Sequence, residues 1–185
     1  MNKVLFINSC VSKDSRTLCL AHRLLKHLKG DHIQIELQKE DLQPLNLTEL
    51  EKRDRSSYET RYAVLLSQAD TVVIAAPYYD LSFPSLLKIW IEMCCLQGVT
   101  FYYDEQGRCQ SLCRAKKAYY VATAGGTYDP RFSYDYVKAV FSMFFGIEDV
   151  ELIIADRLDL IDTNTESILC RTEHQIDEKF KENQV

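Results

Sequence analysis

The chain has 185 residues, of which 46% are hydrophobic and 26% are charged, and its formal net charge is −5 at pH 7. This length and composition predict one soluble globular domain, residues 1–185, with enough apolar side chains for a full core. The acidic balance disfavours a nucleic-acid or anionic-membrane partner, and no apolar run reaches the roughly 20 residues that a membrane-spanning helix needs.

Apolar runs typical of strands alternate with segments of helical periodicity along the chain. The predicted strands are residues 4–8, 33–37, 71–76, 118–123 and 150–155. The predicted helices are residues 18–28, 58–66, 86–94, 133–145 and 165–180. Strands separated by helices imply a parallel sheet with right-handed crossovers. The pattern therefore predicts an α/β fold, a flavodoxin-like doubly wound five-stranded parallel sheet of order 2-1-3-4-5 with helices on both faces.

Ligands bind such a sheet at the carboxyl ends of its strands, and the loop after the first strand, SCVSKDSRT at 9–17, is unusually polar. It contains no glycine, which argues against a P-loop or a GxGxxG dinucleotide site. It leads into a helix N-terminus, where unpaired N–H groups and the helix dipole attract anions, and Arg16 there is unfavourable unless an anion is present. We predict a phosphate-binding turn, the alternative being a plain polar turn with Ser15 as N-cap.

The same loop also fits the pattern C-x5-R-[ST], which begins at Cys10 and reaches Arg16. This resembles the phosphate loop of low-molecular-weight tyrosine phosphatases, and the DP pair at 129–130 resembles the acid motif of that family. Such a site uses a thiolate nucleophile at a helix N-terminus and an arginine clamp on the phosphoryl group. This chain has serine and lysine at 12–13, where that family has glycine and asparagine.

The loops after the third and fourth predicted strands offer different chemistry. The segment AAPYYDLSFPSLLKIWIE at 75–92 places aromatic side chains at the cleft, where they either flank a planar ring or belong to the core or an interface. The segment ATAGGTYDP at 122–130 holds Gly125 and Gly126, which form either a plain tight turn or a backbone that approaches a ligand closely. A phosphate at one end and a flat ring at the other describe FMN.

These motifs resemble the FMN-dependent NAD(P)H azoreductase and quinone reductase family of flavodoxin-like enzymes over nearly the whole chain. The resemblance rests on KVLFINSC…SRTLCLA, AAPYYDLSFPSLLKIWIE, GVTFYYDEQG, ATAGGTYD and VFSMFFGIEDV. It implies an FMN-dependent oxidoreductase in which NADH or NADPH reduces the flavin and a quinone, azo or nitroaromatic acceptor takes the electrons by a ping-pong mechanism. A non-catalytic FMN-binding electron carrier is the remaining alternative.

The resemblance also assigns roles to residues, although no side chain is expected to act as a catalytic group. The residues implied to hold the FMN phosphate are Ser9, Ser15, Arg16 and Thr17. Those implied to lie beside the ribityl chain and ring are Pro77, Tyr78, Tyr79, Asp80 and Leu81, and Asp80 replaces an asparagine common in the family. Those implied to border the pyrimidine edge are Thr123, Ala124, Gly125 and Gly126. Backbone N–H groups of the two glycines would stabilise negative charge on the reduced ring.

The stretch GVTFYYDEQG predicts a hairpin with three consecutive aromatic residues at 101–103. One 185-residue domain cannot easily bury all three rings, so we predict a homodimer whose interface covers them, the alternative being a hairpin that folds back on its own helix. In the family that the chain resembles, residues matching Tyr103 and Phe144 cover the flavin, some of them from the partner.

Seven scattered cysteines without a CxxC motif indicate reduced thiols and a cytoplasmic location. The four histidines show no metal-ligand spacing with the cysteines, so we expect no metal site. The expected partners are a small-molecule acceptor and a second copy of the chain.

Overall fold

Apolar strands and amphipathic helices alternate in the computed structural model, which describes residues 2–53 and 59–182. The first half contains β1 (Lys3–Asn8), α1 (Arg16–Leu25), β2 (Asp31–Glu36), α2 (Leu47–Arg53), α3 (Arg61–Gln68), β3 (Thr71–Ala75) and α4 (Ser85–Cys94). The second half contains β4 (Phe101–Tyr103), β5 (Cys109–Ser111), β6 (Lys117–Thr123), α5 (Tyr134–Phe145), β7 (Asp149–Ala155) and α6 (Thr165–Glu182).

The main sheet is parallel and has the strand order β2-β1-β3-β6-β7. In its centre, Asn8 of β1 is level with Ala75 of β3, which is level with Val121 of β6. The predicted order 2-1-3-4-5 is confirmed, because β4 and β5 pair only with each other in a separate antiparallel hairpin.

Both faces of the sheet are covered, as continuous apolar strands require. Side chains of β1 alternate between the two faces, so that Leu5 and Ile7 belong to one buried cluster and Val4 and Phe6 to the other. The first cluster packs against α3, α4 and α5 through residues such as Trp90, whereas the second packs against α1 and α6.

Element boundaries differ from the prediction by a few residues. The second strand begins at Asp31 and ends at Glu36, because Leu37 begins a short 3₁₀ turn. Tyr58, which the periodicity placed in a helix, lies outside the described residues, and the helix there begins at Arg61 behind the N-cap Thr60. No helix within 2–53 and 59–182 is long and apolar enough to cross a membrane.

The hairpin predicted at GVTFYYDEQG is present and rests on the end of α5. Ser111 Oγ donates a hydrogen bond of 2.6 Å to the carbonyl of Phe145, and the rings of Phe101 and Phe144 lie 4.9 Å apart. Phe101 is thereby buried within one chain, against α5 and not against the preceding helix on which the alternative placed the hairpin. Tyr102 and Tyr103 remain 43% and 50% exposed, so two of the three rings still lack cover in one chain.

We expect Gly146→Ala to lower the free energy of unfolding by about 2–3 kcal/mol, because it adds steric overlap to the strain of a left-handed residue. Gly146 has φ +63°, and an added Cβ would lie 2.7 Å from Ser111 Cβ. Gly107→Ala is the matched control, since its φ is +75° and nothing lies within 4 Å of the added atom. Its expected cost is about 1 kcal/mol.

Urea titrations followed by the fluorescence of Trp90, the single tryptophan and fully buried, measure both variants. Equal losses of stability in the two variants would show that the hairpin does not rest on Gly146.

Candidate active site

The loops after β1, β3 and β6 meet at the carboxyl edge of the sheet around a cavity of about 290 Å³. Parallel strands end at the same edge, so loops far apart in sequence become neighbours there. Eight of the residues predicted for the cofactor line this cavity. They are Ser15, Arg16, Thr17, Pro77, Tyr78, Tyr79, Thr123 and Gly125.

One end of the cavity is the start of α1. Ser15 is the N-cap, and its Oγ accepts a hydrogen bond of 3.3 Å from the Leu18 N–H. The Ser15 side chain also forms a hydrogen bond with the Cys10 thiol, so Ser15 is held on two sides at the start of the helix. Within the described chain, the N–H groups of Ser15, Arg16 and Thr17 donate to no other group. These free donors lie at the positive end of the helix dipole, which is where an anion is stabilised.

Thr17 and Thr123 join the first and third loops. Their hydroxyl oxygens lie 2.6 Å apart, and both residues are buried. One hydroxyl proton is used in this bond and the other remains free, so the pair can still donate one hydrogen bond to a ligand.

Ser9, which was predicted to hold a phosphate, lies beneath the cavity instead of lining it. It is fully buried, and its Oγ donates a hydrogen bond of 2.8 Å to the carbonyl of Ala75. Ser9 therefore fastens the first loop to β3, and a direct contact with a phosphate stays a prediction.

The loop after β3 contains a strained two-residue turn. Asp80 and Leu81 have φ of 50° and 67°, and Tyr79 and Ser82 exchange two backbone hydrogen bonds of 2.8 Å around them. Aspartate and asparagine tolerate this left-handed conformation better than other side chains, so either residue is suited to position 80. Leucine does not tolerate it well, so the backbone at Leu81 is strained. Leu81 is nevertheless 61% exposed. Strain of this kind is concentrated at functional sites.

The strained turn borders a second, mainly apolar cavity of about 540 Å³. Asp80 and Leu81 line it together with the aromatic side chains of Phe83, Phe132 and Tyr136. Phe132 is half exposed, so this second cavity can admit a planar apolar molecule.

Three polar groups in the second and third loops have no hydrogen-bond partner among the described residues. The Tyr78 Oη is buried and has no hydrogen-bond partner among the described residues. The carbonyls of Gly125 and Gly126 accept hydrogen bonds of 2.9 and 2.8 Å from the N–H groups of Asp159 and Arg157, while their own N–H groups donate to nothing in the described chain. Gly125 lines the cavity and Gly126 is exposed beside it in the chain, so their N–H groups can donate to a ligand with a polar edge.

Asp159 is a site residue that sequence reasoning missed. Its two carboxylate oxygens accept hydrogen bonds of 2.7 and 3.1 Å from the two terminal nitrogens of Arg16. This ion pair lowers the pKa of Asp159. The residues are 143 positions apart, and the loop after β7 carries no motif that would have identified the aspartate.

The structure does not favour the phosphatase interpretation. Cys10 is buried, and its thiol donates to the carbonyl of Ala75. A thiol held in this way is not presented to a phosphoryl group as a nucleophile. Burial raises the pKa of the Cys10 thiol to about 11, whereas a nucleophilic cysteine needs a lowered pKa. The proposed acid, Asp129, pairs with Arg131, which lowers the pKa of its carboxyl group and keeps it ionised.

Comparison with known proteins identifies the family. A family model described as a flavodoxin-like fold matches residues 2–180. This chain belongs to that flavodoxin-like family. It is 31% identical to FMN-dependent NADH:quinone oxidoreductase 2 of Clostridium acetobutylicum, in a match that covers 98% of this chain and 100% of the relative. It is 33% identical to the FMN-dependent NADH:quinone oxidoreductase of Coprothermobacter proteolyticus, over 90% of this chain and 92% of the relative.

Solved structures of the family share the fold. An azoreductase from Bacillus anthracis superposes with a TM-score of 0.85 at 20% identity, covering 98% of this chain and 100% of its own. An FMN-dependent NADH-azoreductase from the same species, solved with FMN, gives a TM-score of 0.77 at 24% identity over 98% of this chain and 99% of its own. The family resemblance predicted from the sequence is confirmed.

Tyr103 and Phe144 lie away from both cavities within one chain. The helix α5 follows the carboxyl end of β6 and precedes the parallel strand β7, so its last turn, with Phe144, lies at the amino edge of the sheet. The hairpin that carries Tyr103 packs on that same turn. If these rings cover a ligand, it belongs to a second copy of the chain.

The Cys10 thiol should resist alkylation in the folded protein. At pH 8, a pKa of about 11 leaves roughly one thiol in a thousand ionised, so protonation alone should slow its reaction more than 100-fold relative to an ordinary cysteine. Cys19 and Cys170 are exposed and serve as internal controls. Labelling with iodoacetamide followed by peptide mass spectrometry measures all three rates. Modification of Cys10 as fast as Cys19 would restore the case for thiol chemistry.

Proposed function

We propose that this chain binds FMN and transfers electrons from NADH to a quinone or azo acceptor. The observation that carries the proposal is a set of unpaired donors at one cavity: the first N–H groups of α1 and the N–H group of Gly125, with Gly126 next along the chain. The names of the relatives, which are FMN-dependent NADH:quinone oxidoreductases, support the same activity.

The residues present fit FMN at both ends. Ser15, Arg16 and Thr17 supply hydroxyl and N–H donors for the phosphate at the helix start. Pro77 lines the same cavity as these donors, and the strained turn that follows in the chain, at Asp80 and Leu81, lines the apolar cavity, where a flat ring can lie against aromatic side chains.

In the proposed reaction, the residues of the chain hold and orient the cofactor and polarise its ring. Bound FMN would accept hydride from a nicotinamide and pass the electrons on to an acceptor. The N–H groups of Gly125 and Gly126 share peptide units with the carbonyls of Ala124 and Gly125, which accept hydrogen bonds from the N–H groups of Leu158 and Asp159. The two glycine N–H groups are thereby held in place, so they can stabilise negative charge without rearranging. Donor and acceptor would occupy the apolar cavity in turn, which gives a ping-pong mechanism without a side-chain nucleophile.

The apolar cavity supports a planar aromatic acceptor. Phe83, Phe132 and Tyr136 line its walls. The two cations there, Lys88 and Arg131, are each paired with a carboxylate, Glu92 and Asp129 respectively. Flat quinones and azo compounds gain most from such aromatic walls.

The FMN function is tested by absorbance between roughly 350 and 500 nm after loading and desalting, and by oxidation of NADH with a quinone. We expect about one FMN per chain and turnover that depends on both substrates. Bound FMN that NADH cannot reduce would instead favour an electron carrier, and a protein that retains no flavin would contradict the proposal.

Thr17→Val should weaken FMN binding by about 1.5–3 kcal/mol, because it removes a hydroxyl that donates to a charged phosphate while keeping the shape of the side chain. Thr100→Val is the matched control. Thr100 is also fully buried, but its Oγ1 donates to the carbonyl of Cys94, near the end of α4. Titration of FMN fluorescence compares the two, and an equal loss in both variants would mean that Thr17 acts only through stability.

We also propose a two-fold homodimer in which Tyr103 and Phe144 of one copy cover the cofactor of the other. Exposed apolar side chains surround the hairpin on each chain, including Tyr102, Leu112 and Met143, which is 64% exposed. An interface between copies would bury them.

Mixing two defective variants tests this shared site. Arg16→Glu places a negative charge where the phosphate would bind and next to Asp159, so it should prevent FMN binding, and Tyr103→Ala removes the covering ring. After exchange at a one-to-one ratio, about half the dimers are mixed and each has one intact site of two, so activity should recover to about a quarter of the unmutated level. Sedimentation confirms the dimer, and activity equal to the sum of the separate variants would rule out sharing.

A further inference from the structure

The carboxylate of Asp159 is hydrogen-bonded to the guanidinium group of Arg16. Two parallel hydrogen bonds of 2.7 and 3.1 Å join them, which is the fork geometry that arginine also uses toward phosphate. Both residues line the cavity that begins at the N-terminus of α1. The pair is partly open to solvent, with 36% of the Arg16 side chain and 62% of the Asp159 side chain exposed.

The backbone holds Asp159 in this place. Its N–H donates to the carbonyl of Gly125 at 2.9 Å, and the N–H of Leu158 donates to the carbonyl of Ala124 at 3.1 Å. A Cβ at Gly125 would collide with the Asp159 carboxylate. The absence of a side chain at Gly125 thus gives the carboxylate its room, and the loop after β7 delivers it over the glycine loop.

The carboxylate presents to Arg16 what a phosphate would present: two oxygen acceptors and a negative charge. The guanidinium fork that faces Asp159 cannot serve a phosphate in the same geometry at the same time. A phosphate that enters this end of the cavity therefore displaces Asp159 or binds beside a like charge, and either event weakens binding.

We propose that Asp159 competes with the phosphate of FMN for Arg16. Asp159 pairs with Arg16 when the cofactor is absent, and it thereby lowers the affinity of the site for FMN relative to riboflavin. The proposal rests on the proposed function, since it concerns the same cofactor. As a consequence, bound FMN exchanges with free FMN more readily than the number of hydrogen-bond donors at the site would suggest.

The opposite role makes the opposite prediction. If Asp159 instead positioned Arg16 for the phosphate, removing its charge would weaken FMN binding. The sign of the change in affinity therefore separates a competitor from a positioning residue.

The test compares dissociation constants for FMN and riboflavin in the unmutated protein, Asp159→Asn and Asp162→Asn, by flavin fluorescence titration. We expect Asp159→Asn to bind FMN about tenfold more tightly, with riboflavin affinity changed less than about twofold, since only the phosphate meets Arg16. Asp162→Asn removes the same charge from an exposed position three residues further along the chain, outside the cavity, and should change neither constant.

A double-mutant cycle adds a second measurement. In an Arg16→Ala background, Asp159→Asn should have at most about a third of its effect on FMN affinity, because the pair no longer exists. Weaker FMN binding in Asp159→Asn, or equal tightening of both flavins, would overturn the proposal while leaving flavin binding intact. If the unmutated protein binds neither flavin, the proposed function fails and this proposal fails with it.

Discussion

The parallel pairing of β1 with β3 and of β3 with β6 is the constraint on which the site depends. Because Asn8, Ala75 and Val121 lie level in the three strands, the loops that follow them begin at one edge of the sheet. Helices on both faces bury the strands and fix this register, since any slip would break two packed clusters at once. Three segments from distant parts of the sequence thereby share one cavity.

The electrostatics of that cavity differ from those of the whole molecule. The chain is acidic, with a net charge of −5, yet the start of α1 gathers Arg16, free N–H groups and the positive end of a helix dipole. The fold pairs Arg16 with a carboxylate of the same chain, Asp159. Local backbone geometry therefore gathers positive charge and hydrogen-bond donors on an acidic protein, and we propose that a carboxylate from another loop competes there with a phosphate.

The two edges of the sheet contribute different features to the proposed site. At the carboxyl edge, strain is accepted at Asp80 and Leu81, and the Tyr78 hydroxyl is left without a partner in the described chain, which suits a place that is completed by a ligand. At the amino edge, Gly146 lets the hairpin close onto α5, and Tyr103 is half exposed. We propose that a second copy joins these edges, so that aromatic rings from one chain reach the cofactor of the other.

The sequence by itself determined the strand order, the hairpin and the three loops that meet at the cavity. Alternation of apolar runs with helical periodicity is a local property, and proline, glycine and hydroxyl residues mark turns locally. Only the tertiary structure decided which polar groups meet. The pairs Arg16–Asp159 and Thr17–Thr123 join residues 143 and 106 positions apart. The burial of Cys10 and Ser9 beneath the loop, and the distance of Tyr103 from the cavity, likewise follow from how elements stack in space, which no local pattern encodes.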